Sequence, residues 1–196
     1  MAQSSNSATA LRNTNVWSTR QLVVMALMCA ISVLLTFVEV PLFPAAPWLK
    51  YDASFVPAMV CGFAFGAGPG LAVGIVAIAL HCLMDGNVWG NLMNVIVILG
   101  YVIPSAMIYR RKRTMTGAII GLVASFVAAL ILAIVGNLLI TPIYAGVDVD
   151  AVMAMIVPIL LPFNAIKAGL NAVFTLVVYK SISNLITPKK DQVKGK

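Results

Sequence analysis

Polar side chains, most of them amides, recur at helical spacing in three apolar segments of the sequence. They are Asn87, Asn91 and Asn94 in one segment, Asn137 and Thr141 in the next, and Asn164, Lys167 and Asn171 in the last. Residues three, four or seven positions apart share one face of a helix. Each segment is therefore predicted to carry a polar stripe on an otherwise apolar helix.

Polar groups are costly in hydrocarbon, so such stripes face either a neighbouring helix or a cavity. Hydrogen bonding between helices is the simpler explanation for any single asparagine, and it contributes only about 0.6–2 kcal/mol per contact. Lys167 favours a cavity, because a buried ammonium needs a carboxylate, a carbonyl or a ligand acceptor. The stripes together predict a pocket for a polar ligand.

The composition requires a lipid environment for the helices that position these stripes. The chain has 196 residues, of which 61% are hydrophobic and only 10% charged, with a mean hydropathy of +1.00. A soluble domain of this size needs more charge to cover its surface. The net charge of +7 lies beside apolar segments, so membrane orientation explains it better than nucleic-acid binding.

The fold predicted is all-α, a polytopic bundle of six transmembrane helices occupying residues 19–187. Residues 1–18 are expected to form a disordered cytoplasmic tail and 188–196 a basic one. The helices are expected near residues 21–38, 55–65, 70–83, 91–109, 117–140 and 157–186. The second and third are separated by Gly66-Ala67-Gly68-Pro69-Gly70, whose glycines and proline interrupt a helix.

The distribution of charge fixes the predicted orientation. With six spans and a cytoplasmic start, the inner face holds 11 of the 13 basic residues, and the outer half holds five of the six acids. Short cytoplasmic loops are rich in Lys and Arg. Merging the second and third spans would place Arg110–Arg113 outside, so six spans with both ends in the cytoplasm are favoured.

The loop after the first span is predicted to cover the pocket from outside. It runs from Glu39 to Asp52, and three prolines prevent it from being a helix or a central strand. Its aromatic residues suit a flat ring, although an interfacial aromatic belt is an alternative. The lid residues proposed are Phe43, Trp48, Tyr51 and Asp52.

Catalysis and metal binding are disfavoured. The sequence contains no phosphate-binding G-x-x-x-x-G-K-[ST] loop, and no Ser-His-Asp or Cys-His arrangement can be assembled. The single histidine, His81, has no second ligand at metal spacing, so it is interpreted as a pore-mouth or packing residue. Cys29, Cys61 and Cys82 are interpreted as packing residues. No enzyme activity, cofactor or metal is expected.

Several of these stretches together resemble one known family. They are the lid from Phe43 to Asp52 followed by Val56-Pro57, Gly62-Phe63-Ala64-Phe65-Gly66, Ile108–Arg113, and Pro162-Phe163-Asn164-Ala165-Ile166-Lys167. Their order and spacing resemble the substrate-binding S component of energy-coupling factor (ECF) vitamin importers, most closely the riboflavin-specific member. The likeness runs from about Arg20 to Leu185, and the Pro-Phe-Asn-x-x-Lys and Leu-Lys-Tyr-Asp elements are its specific parts.

The resemblance implies a subunit that captures riboflavin from outside in a multi-pass protein of a prokaryotic cell membrane. Its partners would be an EcfT-type transmembrane coupling subunit and two cytoplasmic EcfA-type ATP-binding subunits. The family's alanine motif for docking the coupling subunit matches Ala26 and Ala30. The ligand contacts it implies are Leu49, Lys50, Asn91, Asn94, Asn137, Asn164 and Lys167.

Two kinds of observation bear on the identity of the vitamin: one departure from the family pattern and the chemistry of the ligand. The stretch from Leu80 to Asn87 departs from the family, in which a lysine and a Gly/Thr-rich turn are expected. Isoalloxazine suits stacking against apolar rings with amides at its edge, and the ribityl hydroxyls need polar partners. The predicted pocket contains Lys167 but no pair of arginines. A phosphorylated ligand would need a cluster of cations, so a neutral ligand is favoured. The alternatives are an S component for another small molecule, such as pantothenate, or a solitary secondary carrier.

Overall fold

Apolar helices joined by short turns make up nearly all of the structure, a computed structural model that describes residues 17–44 and 46–186. The helices are α1 (Thr19–Thr36), α2 (Phe55–Phe65), α3 (Ala67–Asp85), α4 (Val88–Arg111), α5 (Met115–Ala145), α6 (Val149–Met155) and α7 (Leu161–Ile186). A π-helical turn, Ile156–Leu160, joins α6 to α7. Two short antiparallel strands, β1 (Val40–Pro41) and β2 (Lys50–Tyr51), lie in the loop after α1.

Local sequence explains where the helices begin and end. Ser18 caps α1 through a capping box with Gln21, which satisfies two of the free N–H groups at the helix start. Gly66 separates α2 from α3 with φ of 101°, a conformation that side-chain-bearing residues rarely adopt. The break therefore lies inside the predicted 66–70 turn, although α3 begins three residues earlier than expected.

The sixth predicted span is divided in the structure. Helix α6 and the π-helical turn precede α7, so the helical segment starts at Val149 rather than at residue 157. Pro158 and Pro162 each lack a backbone N–H, and local π-helical adjustments are one way in which a membrane helix tolerates proline. The predicted tails lie almost wholly outside the described residues. Cys29, Cys61 and Cys82 are free thiols within the helices.

Helix α2 forms the centre of the bundle. Ten of its eleven residues are buried, and it packs against α1, α3, α4 and α7. Among the residues that the structure describes, five other helical segments are long and apolar enough to cross a membrane: α1, α3, α4, α5 and the continuous stretch Val149–Ser181. Their outward faces carry exposed Leu, Val and Ile, as expected for helices in contact with lipid.

Helices α2 and α3 approach each other closely at Gly70. A Cβ atom there would lie 2.8 Å from the carbonyl oxygen of Ala58 and from the Cα of Gly62. A Cβ at Gly68, two residues earlier in the same helix, would meet nothing within 4 Å. Backbone atoms cannot yield as a flexible side chain can, so of these two positions it is Gly70 that requires glycine for packing.

We expect Gly70→Ala to destabilise the bundle by about 1–3 kcal/mol, because overpacking forces the helices apart. The matched variant Gly68→Ala should be neutral or slightly stabilising, since alanine is the better helix former. Thermal unfolding of the two purified variants in detergent measures the difference. Equal melting temperatures would contradict the close packing of α2 on α3.

Candidate functional site

A cavity of about 880 Å³ opens at one end of the bundle. Its wall comes from the C-terminal ends of α1, α3 and α5, the N-terminal ends of α2, α4 and α7, and the loop after α1. All the ligand contacts that the family resemblance implies line it: Leu49, Lys50, Asn91, Asn94, Asn137, Asn164 and Lys167. Residues from four separate regions of the chain are thus brought to one site.

The loop after α1 covers part of the mouth as a small hairpin. Val40 pairs with Tyr51 and Pro41 with Lys50. The Lys50 ammonium donates to Glu39 at 2.6 Å, and this hydrogen bond together with the carboxylate charge raises the pKa of Lys50. Trp48 lines the cavity and is 62% exposed. The hairpin is therefore held by an ion pair at the mouth and presents an indole ring there.

Two of the other predicted lid residues, Phe43 and Tyr51, do not line the cavity. Phe43 packs edge-on against Phe163 of α7, with ring centroids 6.4 Å apart. Tyr51 is buried outside the cavity lining, and burial, with a contribution from the Asp52 charge, raises its pKa to about 12. Both residues anchor the loop to the bundle rather than face the cavity.

Asp52 is the partner of Lys167. The ammonium of Lys167 lies 3.2 Å from Asp52 Oδ2, and the two side chains are only 10% and 13% exposed. Burial alone would raise the pKa of Asp52, but the charge of Lys167 and the hydrogen bonds from Ser54 outweigh it and hold that pKa below its ordinary value. Lys167 also lies over the Phe55 ring, 5.2 Å from its centroid. One of the three N–H groups of the Lys167 ammonium donates to Asp52, so the other two remain available to a ligand.

Two of the asparagines use their N–H groups within their own helices. Asn137 Nδ2 donates to the Ala133 carbonyl at 2.8 Å, and Asn164 Nδ2 donates to Leu160, also at 2.8 Å. The Asn137 oxygen accepts a hydrogen bond from the Thr141 hydroxyl at 3.1 Å. An amide oxygen has two lone pairs, so each of these side chains keeps acceptor capacity on its oxygen. Within residues 17–44 and 46–186, no protein group hydrogen-bonds the Asn164 oxygen.

Asn91 differs from these residues because its hydrogen bonds are made within the protein. Its Nδ2 donates to both oxygens of Asp85, at 3.0 and 3.2 Å, and to the Asn87 carbonyl at 2.8 Å. Its Oδ1 lies 3.1 Å from His81 Nδ1. Asn91 therefore organises a polar cluster in the wall, and little of its hydrogen-bonding capacity remains for a ligand.

Several lining residues were not predicted from the sequence. Trp89 and Tyr144 stack at the mouth, with ring centroids 6.3 Å apart and an interplanar angle of 25°. Asp85 also lines the cavity. His81, which was interpreted from the sequence as a pore-mouth or packing residue, lies in the same wall. His81 and Asp85 are four residues apart at the end of a span, a spacing that could have indicated a shared face. No sequence pattern connects Trp89 with Tyr144.

The stripe on α7 divides between two environments. Asn164 and Lys167 line the cavity, whereas Asn171 lies one turn further along the helix, is completely buried and is close to Tyr101. The sequence spacing correctly places the three on one face. Depth along the helix separates the cavity residues from the packing residue.

The charges around the cavity favour a ligand without negative charge. Among the described lining residues are three carboxylates, Glu39, Asp52 and Asp85, and two ammonium groups, Lys50 and Lys167. Both ammonium groups are already paired. A phosphate or carboxylate would meet no unpaired cation among these residues, so a neutral ligand with hydrogen-bond donors fits best.

The opposite end of the bundle is filled by aromatic rings. Phe63 lies 4.8 Å from Tyr109 and 5.1 Å from Tyr179 between ring centroids, and all three are buried. The basic run Arg110–Arg113 follows Tyr109 directly. The cavity therefore opens away from the basic end.

Helix α1 exposes the two alanines of its small-residue pair. Ala26 and Ala30 face outward, whereas Met25, Met28, Ser32 and Thr36 of the same helix are buried. Large apolar residues surround the alanines on the exposed face, among them Leu22, Val23 and Leu27. Because alanine side chains are small, another helix could approach α1 closely at this position.

Comparison with known proteins finds one matching family and several similar transport proteins. The family described as "ECF transporter, substrate-specific component" matches residues 20–179. The chain is 27% identical over 182 residues to "Riboflavin transporter RibU" of Staphylococcus aureus (strain TCH60), covering 89% of this chain and 96% of that protein. It is 28% identical over 174 residues to "Riboflavin transporter FmnP" of Bacillus subtilis (strain 168), covering 82% and 91%.

A solved structure has the same fold. The structure titled "Structure and mechanism of the S component of a bacterial ECF transporter" superposes with a TM-score of 0.75 at 25% identity. The match covers 86% of this chain and 98% of that one. The similarity therefore extends through the whole bundle, including the helices that form the cavity.

Proposed function

The chain belongs to the family of ECF transporter substrate-specific components, and on this basis we propose that it captures riboflavin from outside the cell for an ATP-driven importer. The observation that carries the proposal is the cavity lined by Asn164, Lys167 and the other predicted contacts. Curated relatives named as riboflavin transporters support the choice of vitamin.

The chemistry of the cavity suits riboflavin. Amide oxygens of Asn137 and Asn164 accept hydrogen bonds from ring N–H or hydroxyl groups, and Lys167 donates to a ring carbonyl. Aromatic side chains at the mouth, Trp48, Trp89 and Tyr144, suit a flat heterocycle. The volume of about 880 Å³ lies within the usual range for small-molecule sites, roughly 300–1,000 Å³.

The proposed topology has six membrane crossings, with α2 as the short central one. Both chain ends and the Arg110–Arg113 run lie in the cytoplasm, and the cavity faces outward, in accordance with the positive-inside rule. The protein is then a multi-pass component of the cell membrane. An EcfT-type coupling subunit docks on the Ala26/Ala30 face, and two EcfA-type subunits supply ATP hydrolysis.

Titration of the purified protein with riboflavin tests the proposal directly. We expect saturable binding, seen as quenching of flavin fluorescence, and no competition from pantothenate, whose carboxylate finds no unpaired cation among the described lining residues. A protein that carries no flavin and takes none up contradicts the assignment. Saturable binding of pantothenate would favour the alternative S-component specificity.

We expect Asn164→Ala to weaken riboflavin binding about 5- to 150-fold, because a buried ligand donor left unpaired costs roughly 1–3 kcal/mol. Ile166→Ala is the matched control, since Ile166 lies two residues away on the same helix and is exposed. Unchanged affinity in Asn164→Ala would exclude this residue from the site.

A solitary secondary carrier remains the second candidate from a different class. Such a carrier would transport riboflavin without ATP-hydrolysing partners. Co-purification of the tagged chain with a coupling subunit and an ATPase pair supports the importer. Full uptake in cells that lack those subunits would support the carrier.

A further inference from the structure

His81 lies in the cavity wall, and one of its two ring nitrogens contacts polar groups of the protein. The residue lies near the end of α3, lines the cavity, and its side chain is 14% exposed. The Phe37 ring meets it edge-on at 6.5 Å between centroids. It is also the single histidine of the chain, and the contacts proposed above do not use it.

The neighbouring amide of Asn91 determines which ring nitrogen of His81 carries the hydrogen. Asn91 must turn its Nδ2 toward Asp85 and the Asn87 carbonyl, because both of these groups are acceptors at neutral pH. Its Oδ1 therefore faces His81 Nδ1 at 3.1 Å, and Asp85 Oδ2 lies 3.5 Å from the same nitrogen. Two acceptors face Nδ1, so Nδ1 carries the hydrogen.

A neutral imidazole with its hydrogen on Nδ1 has a lone pair on Nε2. Within the part of the chain that the structure describes, no group donates to that nitrogen. Hydroxyl groups on the facing part of α1 do not supply a donor, because Ser32 donates to the Ser54 carbonyl and Thr36 to the Val33 carbonyl. A largely buried acceptor on a cavity wall calls for a donor from the ligand.

We propose that His81 recognises a hydroxyl group of the ligand's polyol chain through Nε2, with Asn91 and Asp85 fixing the orientation of the ring. This inference rests on the proposed function. It assigns the ribityl chain to the α3 side of the cavity, and the ring system to the α7 side, where Asn164 and Lys167 lie. His81 is then a determinant of specificity for the polyol rather than for the flavin ring.

Two substitutions separate recognition of the ligand from support of the wall. In His81→Asn the side-chain amide takes the place of Nδ1 and keeps a donor toward Asn91, but nothing replaces Nε2. In His81→Gln the longer amide reaches the Nε2 position with an oxygen acceptor. Each variant is titrated with riboflavin and with lumiflavin, which has the same ring but a methyl group in place of the ribityl chain.

We expect His81→Asn to bind riboflavin about tenfold more weakly than the wild type while its affinity for lumiflavin is unchanged. His81→Gln should stay within about threefold of the wild type for both ligands. A purely structural role predicts the reverse order, with His81→Gln the weaker binder and lumiflavin affected as strongly as riboflavin. That result, or wild-type riboflavin affinity in His81→Asn, overturns the inference.

The same titrations distinguish failure of the proposed function from failure of the role assigned to His81. Wild-type protein that binds neither flavin overturns the riboflavin assignment, and the inference with it. Wild-type protein that binds riboflavin, together with a His81→Asn variant that binds it equally well, overturns only the role of His81.

Discussion

Lys167→Met is expected to abolish riboflavin binding and to destabilise the bundle by about 3–5 kcal/mol, because it leaves Asp52 buried without a counter-ion. The pair is largely shielded from solvent and joined at 3.2 Å, so the loss exceeds that of a surface ion pair. Thermal unfolding should shift by on the order of 10 °C. Flavin titration and thermal unfolding of the same sample measure the two effects.

The double variant Asp52→Asn/Lys167→Met separates the ion pair from the ligand contact. Removing both charges abolishes the buried unpaired carboxylate, so stability should return toward that of the wild type. Binding should remain weak, since the ammonium donor to the ligand is still missing. A double variant that binds riboflavin normally would exclude Lys167 from the site. Wild-type stability in Lys167→Met would exclude a structural role for the pair.

Lowering the pH provides an independent test of the ion pair between Asp52 and Lys167. Lys167 holds the pKa of Asp52 in the folded protein below its ordinary value, so the pair contributes fully above about pH 4 and is lost as the pH falls through the folded pKa. In Lys167→Met the buried carboxyl is expected to take up a proton more readily. The difference in melting temperature between wild type and variant should therefore narrow as the pH is lowered from 7 to 4.

The sequence predicts which residues reach the cavity better than it predicts what they do there. Helical spacing correctly groups Asn164 with Lys167, because periodicity depends only on the local backbone. The same spacing groups Asn91 with Asn94, yet Asn91 is occupied by Asp85 and the Asn87 carbonyl. Hydrogen-bond partners depend on which helices meet, and that information is tertiary.

The partner of Lys167 illustrates the same limit. The sequence requires a carboxylate, a carbonyl or a ligand acceptor near this lysine, and the fold supplies Asp52, which is 115 positions away in sequence. The loop after α1 shows the same limit. Its prolines correctly exclude a helix. Composition alone cannot tell, however, that Phe43 anchors the loop on Phe163 while Trp48 lines the cavity. Direction of a side chain in an irregular loop follows from packing against the bundle.

Ala26→Trp or Ala30→Trp is expected to reduce riboflavin uptake by cells to background while leaving riboflavin binding unchanged. Both alanines lie on the outward face of α1, and neither lines the cavity. Small residues allow two helices to approach closely in a membrane, so an indole ring at this position prevents docking of the coupling subunit. Uptake of labelled riboflavin in cells and titration of the purified variants measure the two properties.

The matched control is Ile131→Trp on α5, a helix that packs against α4 and α7 and exposes Ile131 on its outer surface. A bulky ring there faces lipid and should leave both uptake and binding at wild-type levels. Normal uptake by both alanine variants would contradict docking on this face of α1. Loss of binding together with uptake would instead mean that α1 shapes the cavity, through Ser32 and Thr36 on its buried side. If the α1 variants lose uptake but keep binding, and the α5 control keeps both, then capture and transport use different faces of α1.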